Sequence, residues 1–194
     1  MDFHHRIAAN AASVETHLNA YLDTYEHLPV VDAMRYAVQG GKRMRAYMVI
    51  ESGAMFGISM EQSIWPAAAI EAVHAYSLVH DDMPCMDDDD MRHGKATPHR
   101  VFDEATAVLA GDALHALAFE ILADTGTSTD PFTRSELILT LGTASGMNGM
   151  AGGQMMDMVA DGSEESIEHF LRYYADAETR VQWFDDWMTD GEPL

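Results

Sequence analysis

"SIWPAAAIEAVHAYSLVHDD", residues 63–82, runs straight into "MPCMDDDDMRHG", residues 83–94. The first stretch is a long apolar run with no strand-like alternation, the pattern of a buried helix. The second brings the count of aspartates to six in ten positions, at Asp81, Asp82 and Asp87 to Asp90. A helix C-terminus already carries partial negative charge, so Asp81 and Asp82 in its last turn are electrostatically unfavourable. Something positive is expected beside them.

The same periodicity extends in both directions. Val14, Leu18, Tyr21, Leu22 and Tyr25 share helical spacing, as do Val30, Met34, Ala37 and Val38 after Pro29. Gly40-Gly41 breaks the second stripe. "RMRAYMVIESGAMFG" resumes it with Met44, Met48 and Met55. Downstream, "FDEATAVLAGDALHALAFEILAD" reads as another apolar helix, and Asp130-Pro131 opens a Gly-rich helical stretch to about Gly162. No strand pattern persists and no repeat occurs. The fold class is all-α, a bundle of long helices, with the 15 methionines expected as core filler.

The bulk numbers narrow the function. A 194-residue chain that is 47% hydrophobic can build a real core. Its 32 acidic and 11 basic side chains give a net charge of −21, which disfavours nucleic acid and an anionic membrane surface. No apolar run is expected to reach the length of a membrane span. The single Cys85 allows no internal disulfide, and the first residues lack a signal-peptide core, so a cytoplasmic location is expected.

The aspartates have a chemistry of their own. Asp87 lies six residues after Asp81, off its face on a regular helix, but Pro84 breaks the regularity and lets the chain bulge. Asp87 then falls about one turn from Asp81 or Asp82. Grouped carboxylates with open positions suit Mg²⁺, which takes oxygen ligands and keeps waters for a phosphate. Cations flank the cluster at Arg92, Lys95 and Arg100. Upstream, "GGKRMR" is expected to place Lys42 and Arg45 three apart on one helix face as a diphosphate clamp. His74 stands two turns before Asp81 on the same face. Singly, each signal is weaker than its bland counterpart: a solvated acidic face, a helix boundary, a packed histidine.

Together, "GGKRMR", the stretch from His74 to Asp124 and "GMAGGQMMDMVADG" resemble the bacterial short-chain trans-prenyl diphosphate synthases, the farnesyl and geranylgeranyl diphosphate synthase (polyprenyl synthetase) family. The resemblance runs from about Val30 to Gly162. It implies one domain over residues 1–194, with a family-like core to 162 and a divergent or deletion-joined tail from 163. It implies the isoprenoid synthase fold, mostly antiparallel helices around a central cavity, with the C-terminal helices missing or reduced, and a homodimer. It also implies a reaction, the Mg²⁺-dependent condensation of isopentenyl diphosphate with an allylic diphosphate. By the same resemblance Asp81, Asp82 and Asp87 hold the metal and Arg92 reaches the allylic diphosphate. Lys42, Arg45 and His74 hold isopentenyl diphosphate, and Gln154 and Asp157 face the cavity. Tyr76, five residues before Asp81, would floor the tail pocket and favour C15 over C10 or C20.

Two departures from the family pattern stand out. His93 replaces the second of two arginines, which weakens the expected grip on isopentenyl diphosphate. No Lys-Thr pair follows, and the tail offers Gln182, Asp185, Asp186 and Asp190 as a compressed second aspartate motif. The alternatives are a non-catalytic relative acting as a diphosphate-binding or partner subunit, and a terpene cyclase-like enzyme on a prenyl diphosphate.

Overall fold

The computed structural model describes residues 3–159. In chain order they form α1 (Phe3–Leu22), α2 (Pro29–Ala37), α3 (Met44–Met55), α4 (Met60–Asp81), the strands β1 (Met91–Arg92) and β2 (Lys95–Ala96), then α5 (Pro98–Val101), α6 (Glu104–Ala123), α7 (Pro131–Ser145) and α8 (Met150–Val159). The chain divides into two compact units, Met1–Leu139 and Thr140–Leu194. The all-α expectation holds.

Sequence dictates most of these boundaries. Pro29 opens α2, where its missing N–H and fixed φ suit the first turn. Asp103 caps α6, accepting from the Thr106 N–H at 2.8 Å, and the same bond holds its carboxyl below the usual carboxylate range. Asp130 caps α7 in the same way, through Thr133. Within the second unit, Gly146 and Gly149 lie between α7 and α8; a Cβ on Gly149 would sit 1.9 Å from the Ala144 carbonyl oxygen.

The core of the first unit is the pairing of α4 with α6, with α1, α2 and α3 packed around it. Both helices bury small residues: Ala68, Ala72 and Ala75 on α4, and Ala107, Ala110, Gly111 and Ala118 on α6. Small side chains let helix backbones approach closely. At Gly111 the approach is tightest, since a Cβ there would lie 2.1 Å from His80 Nε2. Val14, Leu18 and Leu22 of α1 close the core at one helical stripe, each 0% exposed.

Three expectations are corrected. The methionines are not mainly core filler: Met34 and Met83 are buried, but Met44, Met48 and Met55 on α3 are exposed. The buried face of α3 is instead Ala46 and Ile50, because the start of that helix is bonded to α4 through Ala46. By length and composition, α6 is apolar enough to cross a membrane, at a mean hydropathy of 1.5; in this fold it is a core helix, and its excess apolarity falls partly on exposed Val108 and Leu109. Finally, a short hairpin interrupts the helices. His93 (φ 50°) and Gly94 (φ 78°) both adopt left-handed backbone, as a tight two-residue turn requires, and Arg92 pairs with Lys95 across it.

Gly111→Ala should lower stability by about 1–3 kcal/mol, because the His80 ring would have to leave the Val108 carbonyl it now contacts at 3.1 Å. A thermal melt followed by circular dichroism reads this as a drop of several degrees; an unchanged melting temperature would show the α4–α6 contact to be loose.

Candidate active site

α4 ends at Asp81, and Asp82 is its C-cap. The chain then turns through Met83–Met86, with the Met86 N–H bonded to the Met83 carbonyl at 2.9 Å. The Asp87 N–H closes the detour on the Asp81 carbonyl oxygen, also at 2.9 Å. Pro84 thus ends the helix rather than bulging from it, and the expected approach of Asp87 to Asp81 is achieved by a loop. The two carboxyls feel each other: burial raises Asp81 above its usual range, and the Asp87 charge adds to the rise.

The other aspartates are dealt with separately. Asp82 is 2% exposed, and its Oδ1 accepts from both Nε and Nη2 of Arg92 at 2.6 Å. Burial raises the Asp82 carboxyl, and Arg92 opposes that rise. Arg92 also lies 3.6 Å from Asp89. Asp90 pairs with Arg100. Thr97, fully buried, ties the backbone of both loop ends together by donating to the carbonyls of Asp89 and Asp90. Among the described residues Asp82, Asp89 and Asp90 thus lie beside arginines, while Asp81 feels both the Asp87 charge and Arg92.

The clamp residues sit on a different element. Gly40 (φ 80°), Gly41 (φ 82°) and Arg43 (φ 53°) all take left-handed backbone, so the chain loops before α3 begins at Met44. Lys42 is therefore on that loop and exposed, not on a helix face with Arg45 as expected. Arg43, which sequence reasoning passed over, is the buried member of the motif. Its Nη1 donates to Glu71 Oε2 at 3.1 Å, Nη2 donates to the Val38 carbonyl, and Glu71 Oε1 accepts from the Ala46 N–H at 3.0 Å. The signal was present: an acidic residue at 71 inside an all-apolar run needs a buried partner. Arg45, from the first turn of α3, meets His74 on α4, with Nη1 3.4 Å from Nε2. Burial first, and Arg45 second, lower the His74 pKa to about 4, so the ring is neutral at pH 7 and accepts.

Tyr76 packs its ring on His115 of α6 at 4.6 Å and nearer the aspartates on His80 at 5.8 Å. Its hydroxyl pKa is raised by burial and by Asp81. His99, 6% exposed, lies close enough to Asp82 to favour its charged form, and neither ring nitrogen has a hydrogen-bond partner among the described residues. His93, exposed, occupies the first position of the hairpin turn. Gln154, half-buried, and Asp157, exposed, belong to α8 in the second unit. Gln182, Asp185, Asp186 and Asp190 lie outside the described residues.

Among the described residues no three carboxylates, histidines or cysteines converge into a ready-made metal cage. The adjacent oxygen donors Asp81 and Asp87 nevertheless fit a hard cation. A carboxyl pushed up by burial and by a neighbouring carboxylate, as Asp81 is, gains from an added positive charge, and Mg²⁺ needs few protein ligands when waters and a phosphate complete its shell.

The chain also has relatives among known proteins. The family model described as polyprenyl synthetase matches residues 29–178. Farnesyl diphosphate synthase of Escherichia coli is 43% identical over 178 residues, covering 90% of this chain and 60% of that protein. Its Haemophilus influenzae counterpart is 44% identical over 162 residues, covering 79% of this chain and 54% of that protein. Among solved structures, an FPP/GFPP synthase from Zymomonas mobilis superposes with a TM-score of 0.79 at 45% identity, over 84% of this chain and 62% of that one. The chain thus spans little more than half the length of these relatives.

Replacing Asp81 and Asp82 should have opposite effects on stability. At pH 7 the ionised Asp81 opposes folding, because its folded pKa is raised, so Asp81→Ala should leave the melting temperature level or lift it. Asp82→Ala should lower it by several degrees: burial raises Asp82 as well, but removing it leaves the Arg92 guanidinium without the carboxylate it holds at 2.6 Å; a fall for both would make Asp81 structural. For His74 the folded pKa lies below the ordinary 6.5. Between about pH 6.5 and pH 4 the unfolded chain therefore binds the extra proton, and stability falls as the pH falls. The melting temperature of His74→Gln should fall less steeply than wild type over that window; parallel curves would show that His74 does not titrate as its burial demands.

Proposed function

Because the chain belongs to the polyprenyl synthetase family, we propose that it condenses isopentenyl diphosphate with an allylic diphosphate to a short-chain prenyl diphosphate, C15 before C10 or C20. The observation that carries the proposal is the loop that returns Asp87 to Asp81 beside the Arg92–Asp82 pair. Nothing in folding alone calls for two mutually repelling carboxyls at the end of a helix.

In this reading Asp81 and Asp87 hold Mg²⁺ directly, and Asp82 contributes by fixing Arg92 next to them. The bound Mg²⁺ supplies positive charge to the diphosphate that leaves as the allylic C–O bond breaks. Arg92, still 29% exposed in its side chain, adds a bidentate donor for the same diphosphate. Lys42 and Arg45 hold the diphosphate of isopentenyl diphosphate, and neutral His74 orients Arg45 without competing for the anion. Gln154 contributes to substrate binding. Tyr76 limits the tail: half-buried and backed by His115, it can swing little. A second copy of the chain covers the exposed Val108 and Leu109 of α6 as a homodimer.

A second reading has support of its own. One relative, 39% identical over 175 residues, bears the name heterodimeric geranylgeranyl pyrophosphate synthase large subunit 1, from Arabidopsis thaliana chloroplasts. On that pattern this chain would bind diphosphates as one member of a mixed pair.

The test is an assay with labelled isopentenyl diphosphate, dimethylallyl or geranyl diphosphate and Mg²⁺, with products sized by chromatography and sedimentation giving the mass. Wild type should yield a Mg²⁺-dependent C15 product as a dimer, and Tyr76→Ala should yield longer ones. Substrate binding without product would favour the partner-subunit reading; no binding of either diphosphate would end both.

A further inference from the structure

We propose that Lys95 is a second cationic contact for the diphosphate of isopentenyl diphosphate, acting beside Lys42 where the hairpin meets the Gly40-Gly41 loop. The proposal rests on the substrate reading above.

The inference begins with how the chain uses its few cations. Among the described residues Arg6, Arg35, Arg43, Arg92 and Arg100 are each paired with a carboxylate. Arg134 donates to the Ser128 carbonyl and stands beside Asp130. That leaves Lys42, Arg45 and Lys95 without a carboxylate partner, in a chain whose net charge is −21. Arg45 meets neutral His74 among the described residues. Lys95 is exposed, yet its ammonium is held 5.0 Å over the Tyr36 ring and 3.5 Å from Gln39 Oε1. Three aspartates, Asp88 to Asp90, lie only five to seven residues earlier and do not capture it. An aromatic face and an amide fix the position of a cation without neutralising it, which leaves its charge for an anion.

Its position is also fixed from several sides. Lys95 is directly opposite Arg92 across the hairpin, so the two side chains rise from one face of the ribbon. Arg92 is anchored on Asp82. The Tyr36 hydroxyl donates to the Ala96 carbonyl at 2.7 Å and staples β2 to α2. Gln39, which Lys95 touches, is three residues before Lys42, a separation of at most about 11 Å between their Cα atoms. Lys95 is therefore opposite Arg92 on the hairpin and in contact with the segment that leads into the Lys42 loop. It places an ammonium on the hairpin two residues after exposed His93, whose ring lacks the fork of an arginine.

Calorimetric titration of isopentenyl diphosphate into the full chain tests this, with Lys95→Gln, Lys95→Arg and, as a control for equal loss of charge, Arg6→Gln. Lys95→Gln should weaken binding roughly five- to tenfold, as expected for one charged contact, with an unchanged melting temperature because the side chain is exposed. Lys95→Arg and Arg6→Gln should stay within about twofold of wild type. If wild type binds and Lys95→Gln binds equally well, the assignment is wrong while the substrate reading stands. If Lys95→Gln and Arg6→Gln weaken binding alike, the effect is one of net charge and the assignment falls. If wild type does not bind isopentenyl diphosphate, the substrate reading fails and this proposal fails with it.

Discussion

A single buried ion pair, Arg43 with Glu71, governs how the first unit presents its charges. Both side chains are nearly inaccessible, 5% and 3% exposed. Burying two charges is costly unless their remaining hydrogen-bonding capacity is met, and here most of it is. Glu71 accepts from Arg43 and from the Ala46 N–H, one of the donors a helix start leaves unsatisfied, and Arg43 also reaches the Val38 carbonyl. Only Arg43 Nε lacks a partner among the described residues. The pair thereby joins the end of α2, the start of α3 and the middle of α4. With Arg43 turned inward, its neighbour Lys42 is left outside and Arg45 is set against His74.

The acidic run obeys the same economy of charge on the opposite side of the motif. Six aspartates in ten positions would repel one another if left as a solvated row. The fold instead gives Asp82 to Arg92 and Asp90 to Arg100, and uses the buried hydroxyl of Thr97 to bind the loop. At the end of α4 the Asp87 charge acts on the half-buried Asp81 carboxyl. Its location at a helix C-terminus makes it worse for folding and better for a cation, because the same field acts on both. Gly111 makes room for His80 at this end of α4, and Tyr76 follows one turn earlier against His115.

Periodicity and punctuation were enough to establish the helical class, the placement of α1, α2, α4 and α6, and the element starts at Pro29 and Asp130-Pro131. The acidic cluster and the cations Lys42, Arg45 and Arg92 stood out as candidates in the sequence because basic residues are few in this chain, 11 against 32 acids. The rotation of α3 was not. An apolar stripe of methionines looks the same whether it faces the core or solvent, and only the bond from Ala46 to Glu71 decided which face turned inward. The helix start was misplaced for a related reason: a Gly-Gly pair signals a break, but the left-handed Arg43 that delays α3 is set by its buried partner.

The sequence by itself determined an all-α chain of the polyprenyl synthetase family, with carboxylates and cations of fixed identity, because helical period, caps and motif spacing are local properties. Only the tertiary structure decided which of those charges neutralise one another. Asp82 takes Arg92, Glu71 takes Arg43, and Lys95 is held by Tyr36 and Gln39 rather than by an acid. Pairing depends on distances between elements far apart in the chain and on burial that raises the cost of any unpaired charge, and neither is written in local pattern.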